Sequence, residues 1–253
     1  MKEKIKHLID FFNDDTLYYS ASLSFFTIFS ILPILALLIV VMSSSPIFSS
    51  NIDLLMLYVL DFINPTHSSE VTNAITHFLK NIDQLGSLGI FYLIFVFTMF
   101  FKDYEYIVSK IHKTKKRSFI ALVSLYISFL LLIPITFVLF ISITTLFTNP
   151  YIQIFLNSLF AMFIFTVLFK ISVNKHISLR ASVISAFLTL GSLKLTQTLF
   201  IYYVLYNTTY STIYGTLSIM LFMFLWIYIS WTIYLYGIKI CHKLNLQDKK
   251  NAS

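Results

Sequence analysis

Six stretches of this chain each run for close to the length that carries a helix across a bilayer, about 20 mainly apolar residues for roughly 30 Å of hydrocarbon at 1.5 Å per residue. They lie at about Ala21 to Met42, Leu85 to Phe101, Phe119 to Phe147, Tyr151 to Phe169, Ala181 to Tyr206 and Tyr214 to Cys241. The second is short, but Lys102 at its end can snorkel. Only helices and closed barrels satisfy their own backbone groups in lipid. With 27 Phe, 16 Tyr and five Gly in 253 residues, the chain reads as long aromatic-rich helices. A barrel would show short alternating segments with Gly-rich turns. Charged residues make up 11% of the chain, against about 25% in soluble domains. That deficit excludes disorder, a disulfide scaffold and a conventional water-soluble enzyme. The expected fold class is all-α: one polytopic membrane domain over 1–253 with six transmembrane helices, plus amphipathic interfacial helices.

Orientation follows from the Lys and Arg residues in the connections. Lys2, Lys4 and Lys6 precede the first stretch, and Lys102, Lys110, Lys113, Lys115, Lys116 and Arg117 lie between the second and third. Lys170, Lys175 and Arg180 lie between the fourth and fifth, and Lys239, Lys243, Lys249 and Lys250 follow at the end of the sixth. The alternate connections carry Lys80 against Asp53, Asp61, Glu70 and Asp83. Both termini are therefore expected in the cytoplasm of a bacterium, with the chain in its inner membrane. The same rule accounts for the net charge of +7, so the run from Lys113 to Arg117 reads as a topology signal and no nucleic-acid partner is expected. The expected surroundings are a lipid bilayer, with anionic lipid heads as a milder possibility. The polar region before Ala21 is long and the apolar run exceeds the roughly 7–15 residues of a signal core, so the first stretch reads as a retained anchor.

Three segments do not span. Residues 1–17 place Ile5, Leu8, Ile9 and Phe12 at helical spacing among charges, an interfacial helix, and Asp14 or Asp15 is a candidate cap for the first span. Residues 51–84 read as an exported amphipathic hairpin: Ile52, Leu55, Met56, Val59 and Leu60 mark one helix, Pro65 breaks it, and Ser68 or Ser69 opens a second carrying Val71, Ile75 and Phe78. Such a hairpin is expected on the outer leaflet or over the bundle as a lid. Residues 242–253 read as a cytoplasmic tail. The lone Cys241 reads as a small apolar filler. No metal site is expected, because His67 and His77 have no third ligand and His7, His112, His176 and His242 lack ligand spacing. No cofactor is expected either.

Two segments carry a resemblance. Asp14-Asp15-Thr16, followed by Ser20-Ala21-Ser22-Leu23-Ser24-Phe25-Phe26-Thr27-Ile28-Phe29-Ser30-Ile31-Leu32-Pro33, and later Tyr210-Ser211-Thr212-Ile213-Tyr214-Gly215-Thr216-Leu217, Leu225-Trp226-Ile227-Tyr228 and Leu235-Tyr236-Gly237, match motifs in order and spacing. The chain resembles the YihY/BrkB family of bacterial inner-membrane proteins over nearly its whole length. It departs where relatives commonly have Gly-Ala-Glu and this chain has Gly237-Ile238-Lys239. The resemblance implies a six-span membrane protein connected with serum resistance and envelope lipid traffic. It also brings the historical label "ribonuclease BN". A metal nuclease needs clustered carboxylates or histidines, and their dispersal here points away from an enzyme.

Inside the membrane the chemistry is sparse. Lys194 lies about 21 Å from Arg180 and about 18 Å from Tyr206 along the fifth stretch, near the midplane. An unpaired Lys there costs about 2.5 to 3.5 kcal/mol on insertion scales, so it is expected to face the bundle or a wet cavity. No Asp or Glu lies in any of the six stretches. Lys194 is therefore neutral, or bonded to carbonyls and hydroxyls, or matched by an anionic substrate. Ser182, Ser185, Thr189, Ser192 and Thr196 recur at three and four as one hydroxyl stripe, with Lys194 and Gln197 read at its edges. Ser20, Ser24, Thr27 and Ser30 form a similar stripe before Pro33. Such stripes either pack helices closely or line a pore. The candidate substrate-binding set is Lys194, Gln197, Ser192, Thr189, Ser24, Thr27 and Ser30, and the candidate hinges are Pro33, Pro134 and Gly215. Tyr202, Tyr203, Tyr206, Tyr210 and Tyr214 are expected to anchor at the outer interface, and Trp226 to pack near mid-membrane. Transport or flipping of an envelope lipid or anionic amphiphile is the expected function, with a non-catalytic scaffold for envelope integrity as the alternative.

Overall fold

The computed structural model describes residues 15–43, 51–81, 86–206 and 217–251. In chain order its helices are α1 (Thr16–Ser43), α2 (Ile52–Ile63), α3 (Ser69–Lys80), α4 (Gly86–His112), α5 (Phe119–Thr144), α6 (Pro150–Ile171), α7 (Leu179–Tyr206) and α8 (Leu217–Asn251). No strand occurs among the described residues. Five helices, over Thr16–Ile39, Phe119–Thr144, Pro150–Ile171, Leu179–Tyr206 and Leu217–Lys250, are long and apolar enough to cross a membrane. The expected N-terminal interfacial helix before Asp15, and the group of Tyr210, Tyr214 and Gly215, lie outside the described residues.

The helix ends follow local chemistry. Asn149 Oδ1 accepts from Tyr151 N at 2.9 Å and Pro150 occupies the first turn of α6, where its missing N–H costs nothing. Ser118 Oγ accepts from Ala121 N at the start of α5. Of the two cap candidates, Asp14 lies outside the described residues and Asp15 is the residue before α1. Its carbonyl accepts from Tyr19 N, while its carboxylate takes the Tyr19 hydroxyl at 3.0 Å and pairs with Lys110. At the other end of α4, Thr114 N donates to Ser109 O and Lys113 N to Lys110 O, with Lys113 at φ 53. This is a Schellman turn whose left-handed position holds a lysine in place of the usual glycine.

Two helices outrun their apolar stretches. α4 continues from Phe101 to His112 and α8 from Cys241 to Asn251. Neither extension contains Pro or Gly to break the helix, and the expected tail from residue 242 is helix through Asn251.

α1 and α8 pair at the centre. α1 also packs on α4, α5 and α3; α8 also packs on α7, α4, α2 and α3; and α6 packs on α7 and α5. One large core joins Leu23, Phe100, Tyr104, Ile107, Tyr126, Phe169, Ile177, Tyr234, Leu235 and Ile238. The outside is apolar as well: Phe25 and Phe29 on α1, Leu131 and Leu139 on α5, and Ile154, Phe155 and Phe163 on α6 are all exposed. An apolar exterior of this extent suits a hydrocarbon solvent.

The hairpin is built into the bundle. Val71 and Ile75 pack on Leu35 of α1, and Leu55 packs on Met42 and Phe137. Trp226, 1% exposed, donates its indole N–H to the Phe62 carbonyl at 2.7 Å. That carbonyl is one that the end of α2 leaves without a helical partner. Trp226 lies about 14 Å along α8 from Leu217, so α2 reaches well down the bundle. Trp226→Phe keeps most of the ring and removes the donor. Unfolding in mixed micelles should show a loss of about 1.5 kcal/mol; an unchanged midpoint would mean that the bond does not hold the hairpin.

Candidate functional site

The α1 stripe and the 182–189 part of the α7 stripe are packing surfaces. Ser20, Ser24 and Thr27 each donate to the carbonyl four residues back, and Ser30 donates to that of Thr27. Thr27 Oγ1 also accepts from Trp231 Nε1 at 2.8 Å, which ties α1 to α8. On α7, Ser182, Ser185 and Thr189 are buried. Thr189 sits directly against Gly237 of α8, and the Cys241 thiol lies beside Ser182 and Ser185. Small hydroxyl residues allow this close approach. Pro33 and Pro134 are buried inside continuous helices.

Lys194 faces away from the packed bundle, one of the two settings expected for it, the other being a wet cavity. It is exposed, as are Gly191, Ser192 and Thr198, and a Cβ built at Gly191 would meet nothing within 4 Å. The reason is angular. At about 100° per residue Lys194 lies about 140° around the helix from Thr189, opposite the buried stripe rather than at its edge. Its Nζ donates to Gln197 Oε1 at 3.1 Å, and its carbonyl accepts from Thr198 Oγ1. The structure thus separates the candidate set: Thr189, Ser24, Thr27 and Ser30 inside, and Lys194 and Ser192 on the outer face of α7 with Gln197 at its border.

Two buried polar clusters were not singled out from the sequence. In the first, the Glu105 carboxylate, 1% exposed, accepts from Arg117 Nη1 at 2.7 Å and from the Arg117 backbone N–H at 3.1 Å. The same guanidinium donates to the Ile171 and Ser172 carbonyls, at 2.6 and 3.3 Å, at the C-terminus of α6. Next to it the Tyr104 and Tyr234 hydroxyls share a bond of 2.7 Å, and Tyr126 OH is buried without a partner. The available signal was Glu105 itself, an acid inside the most basic connection of the chain.

The second cluster joins His112, the last residue of α4, to His242 of α8, with ring centroids 4.9 Å apart. Asn245 and Asp248 of α8 hold the α6–α7 connection against it. Asn245 Oδ1 accepts from Ser178 N, Asn245 Nδ2 donates to His176 O, and Asp248 accepts from Ser178 Oγ and Arg180. Burial, with the His242 and Lys175 charges adding to it, pushes the His112 imidazole down to about 3. No group of three or more potential metal ligands occurs among the described residues.

The family model described as "Virulence factor BrkB" matches residues 9–252. A UPF0761 membrane protein of Alteromonas mediterranea is 26% identical over 239 residues, covering 88% of this chain and 81% of its own length. A UPF0761 membrane protein of Aggregatibacter aphrophilus is 27% identical, with 90% of this chain and 87% of its own covered. One of Haemophilus influenzae is 26% identical, with 89% and 88% covered. No solved structure matches the chain.

Proposed function

The chain belongs to the Virulence factor BrkB family of membrane proteins, and from that premise we propose that it crosses a bacterial inner membrane six times, N-in and C-in, and moves an envelope lipid or other anionic amphiphile. The excess of Lys and Arg in alternate connections supports the topology. One observation carries the activity: Lys194 lies exposed on α7 with Gln197 Oε1 as its hydrogen-bond acceptor. A cation there is costly beside lipid tails and calls for an anion. No carboxylate of the apolar stretches supplies one, and a second copy apposed on this face would bring another Lys194. An anionic headgroup arriving sideways from the bilayer meets the need. The proposal involves no catalytic chemistry.

Transbilayer movement of a fluorescent anionic phospholipid, with a zwitterionic one as reference, tests this in proteoliposomes. Lys194→Ala should slow the anionic probe at least tenfold, Lys194→Glu should slow it more, and Lys194→Arg should retain most of the rate. Unchanged rates in both Lys194→Ala and Lys194→Glu would remove Lys194 from the site. The close packing of the α1 stripe and of Ser182, Ser185 and Thr189 on α7 favours the second reading, a non-catalytic envelope scaffold. Wild-type vesicles that move neither probe would support it.

A further inference from the structure

We propose that His112, His242, Thr114, Lys113 and Lys175 form a binding site for a phosphate group, at the end of the bundle where α4, α8 and the α6–α7 connection meet. His112 supplies the floor. It is 1% exposed, and its Nδ1 is buried with no hydrogen-bond partner. His242 Nδ1 and Thr114 Oγ1 are likewise buried and without partners. The two rings touch, with centroids 4.9 Å apart, and buried ring nitrogens left unpaired at such a contact are unusual, because such groups ordinarily find a partner. The Schellman turn after α4 brings Lys113 and Thr114 back beside His112. Lys113 is exposed and His242 partly so, which puts the mouth of the site at the surface.

The charges select the ligand. The Lys175 ammonium acts on both rings and that of Lys113 on His242. Two ammonium groups oppose a metal cation and favour an anion. Both imidazoles can present Nδ1–H and the threonine its hydroxyl, which offers up to three neutral donors alongside two cations. A tetrahedral oxyanion with several acceptor oxygens uses them all. Its source is either free inorganic phosphate or the phosphomonoester head of a lipid. The proposal stands apart from amphiphile movement through Lys194 and needs no transport to be tested.

The experiment uses the full chain, labelled with 15N-histidine, in nanodiscs at neutral pH. Inorganic phosphate is added to phosphatidylcholine discs in one arm. In the other, discs contain phosphatidylcholine with phosphatidic acid and no free phosphate. Binding should move the His112 and His242 Nδ1 resonances toward those of hydrogen-bonded N–H, and should raise the His112 pKa from about 3, since binding and protonation are reciprocally linked. A response to phosphate alone identifies a soluble ligand, and a response to phosphatidic acid alone identifies a lipid head. Lys175→Gln should weaken the response at least tenfold with an unchanged thermal midpoint. No response in either arm, or a wild-type response from Lys175→Gln, would overturn the site.

Discussion

Arg117→Gln should destabilise the protein by about 3 to 5 kcal/mol, the range for breaking a buried ion pair from one side, and should cost more than Glu105→Gln. The two side chains are 11% and 2% exposed, so neither finds water when its partner is lost. The asymmetry follows from the hydrogen bonds. Glu105→Gln removes one charge and leaves an amide that still accepts from the Arg117 backbone. Arg117→Gln strands the carboxylate and also frees the Ile171 and Ser172 carbonyls at the end of α6. Arg117→Lys should behave more like Gln than like wild type, because an ammonium cannot span a carboxylate and two carbonyls as a planar fork does. Unfolding in mixed micelles, followed by circular dichroism, measures all three. The double variant Glu105→Gln/Arg117→Gln should cost less than the sum of the singles by about 1 to 3 kcal/mol. Single variants within about 1 kcal/mol of wild type would show that the pair does not clamp α4, the α4–α5 connection and α6 together.

The same pair shows where reading the sequence stopped. Apolar runs locate helices in a bilayer because the solvent demands them, and the runs at Phe119, Tyr151 and Ala181 begin within a few residues of α5, α6 and α7. Hydropathy falls silent at the first charge, whereas the backbone continues. Glu105, Ser109 and His112 thus looked like parts of a connection, yet they lie on α4 and are buried. Their partners, Arg117 and His242, come from other elements, and no periodicity within one helix foretells such pairing. The hairpin was legible as two amphipathic helices. An amphipathic face does not say whether it meets lipid or protein, and the bond from Trp226 to Phe62 decides for protein. Lys194 was legible in its position along α7 and misread in its angle to the hydroxyl stripe. Residue counting gives distance along α7 directly, but facing required projecting the lysine around the helix from Thr189.

Gly237 and Gly191 allow a paired prediction with opposite signs. A Cβ at 237 would overlap Thr189 Oγ1, lie 2.9 Å from Phe169 Cζ and lie 3.3 Å from Thr189 Cβ. Neither neighbour yields easily. A change of χ1 can move Thr189 Oγ1 but not its Cβ, and Phe169, 1% exposed, stacks on Tyr234 with centroids 5.3 Å apart. Gly237→Ala should therefore push α7 and α8 apart at a cost of about 1 to 3 kcal/mol, and Gly237→Val should exceed that range and reduce folded yield in detergent. Thr189→Ala removes the worst overlap, so Gly237→Ala/Thr189→Ala should recover part of the loss, while the Phe169 contact keeps recovery incomplete. Gly191 is also helical, but a Cβ there meets no other part of the protein within 4 Å. Gly191→Ala should stabilise α7 by up to about 1 kcal/mol through backbone entropy alone. Thermal midpoints of the two alanine variants on either side of wild type would establish that Gly237 serves close approach and Gly191 does not. Equal losses from both would mean that the contact between α7 and α8 is looser than the overlap at Gly237 requires.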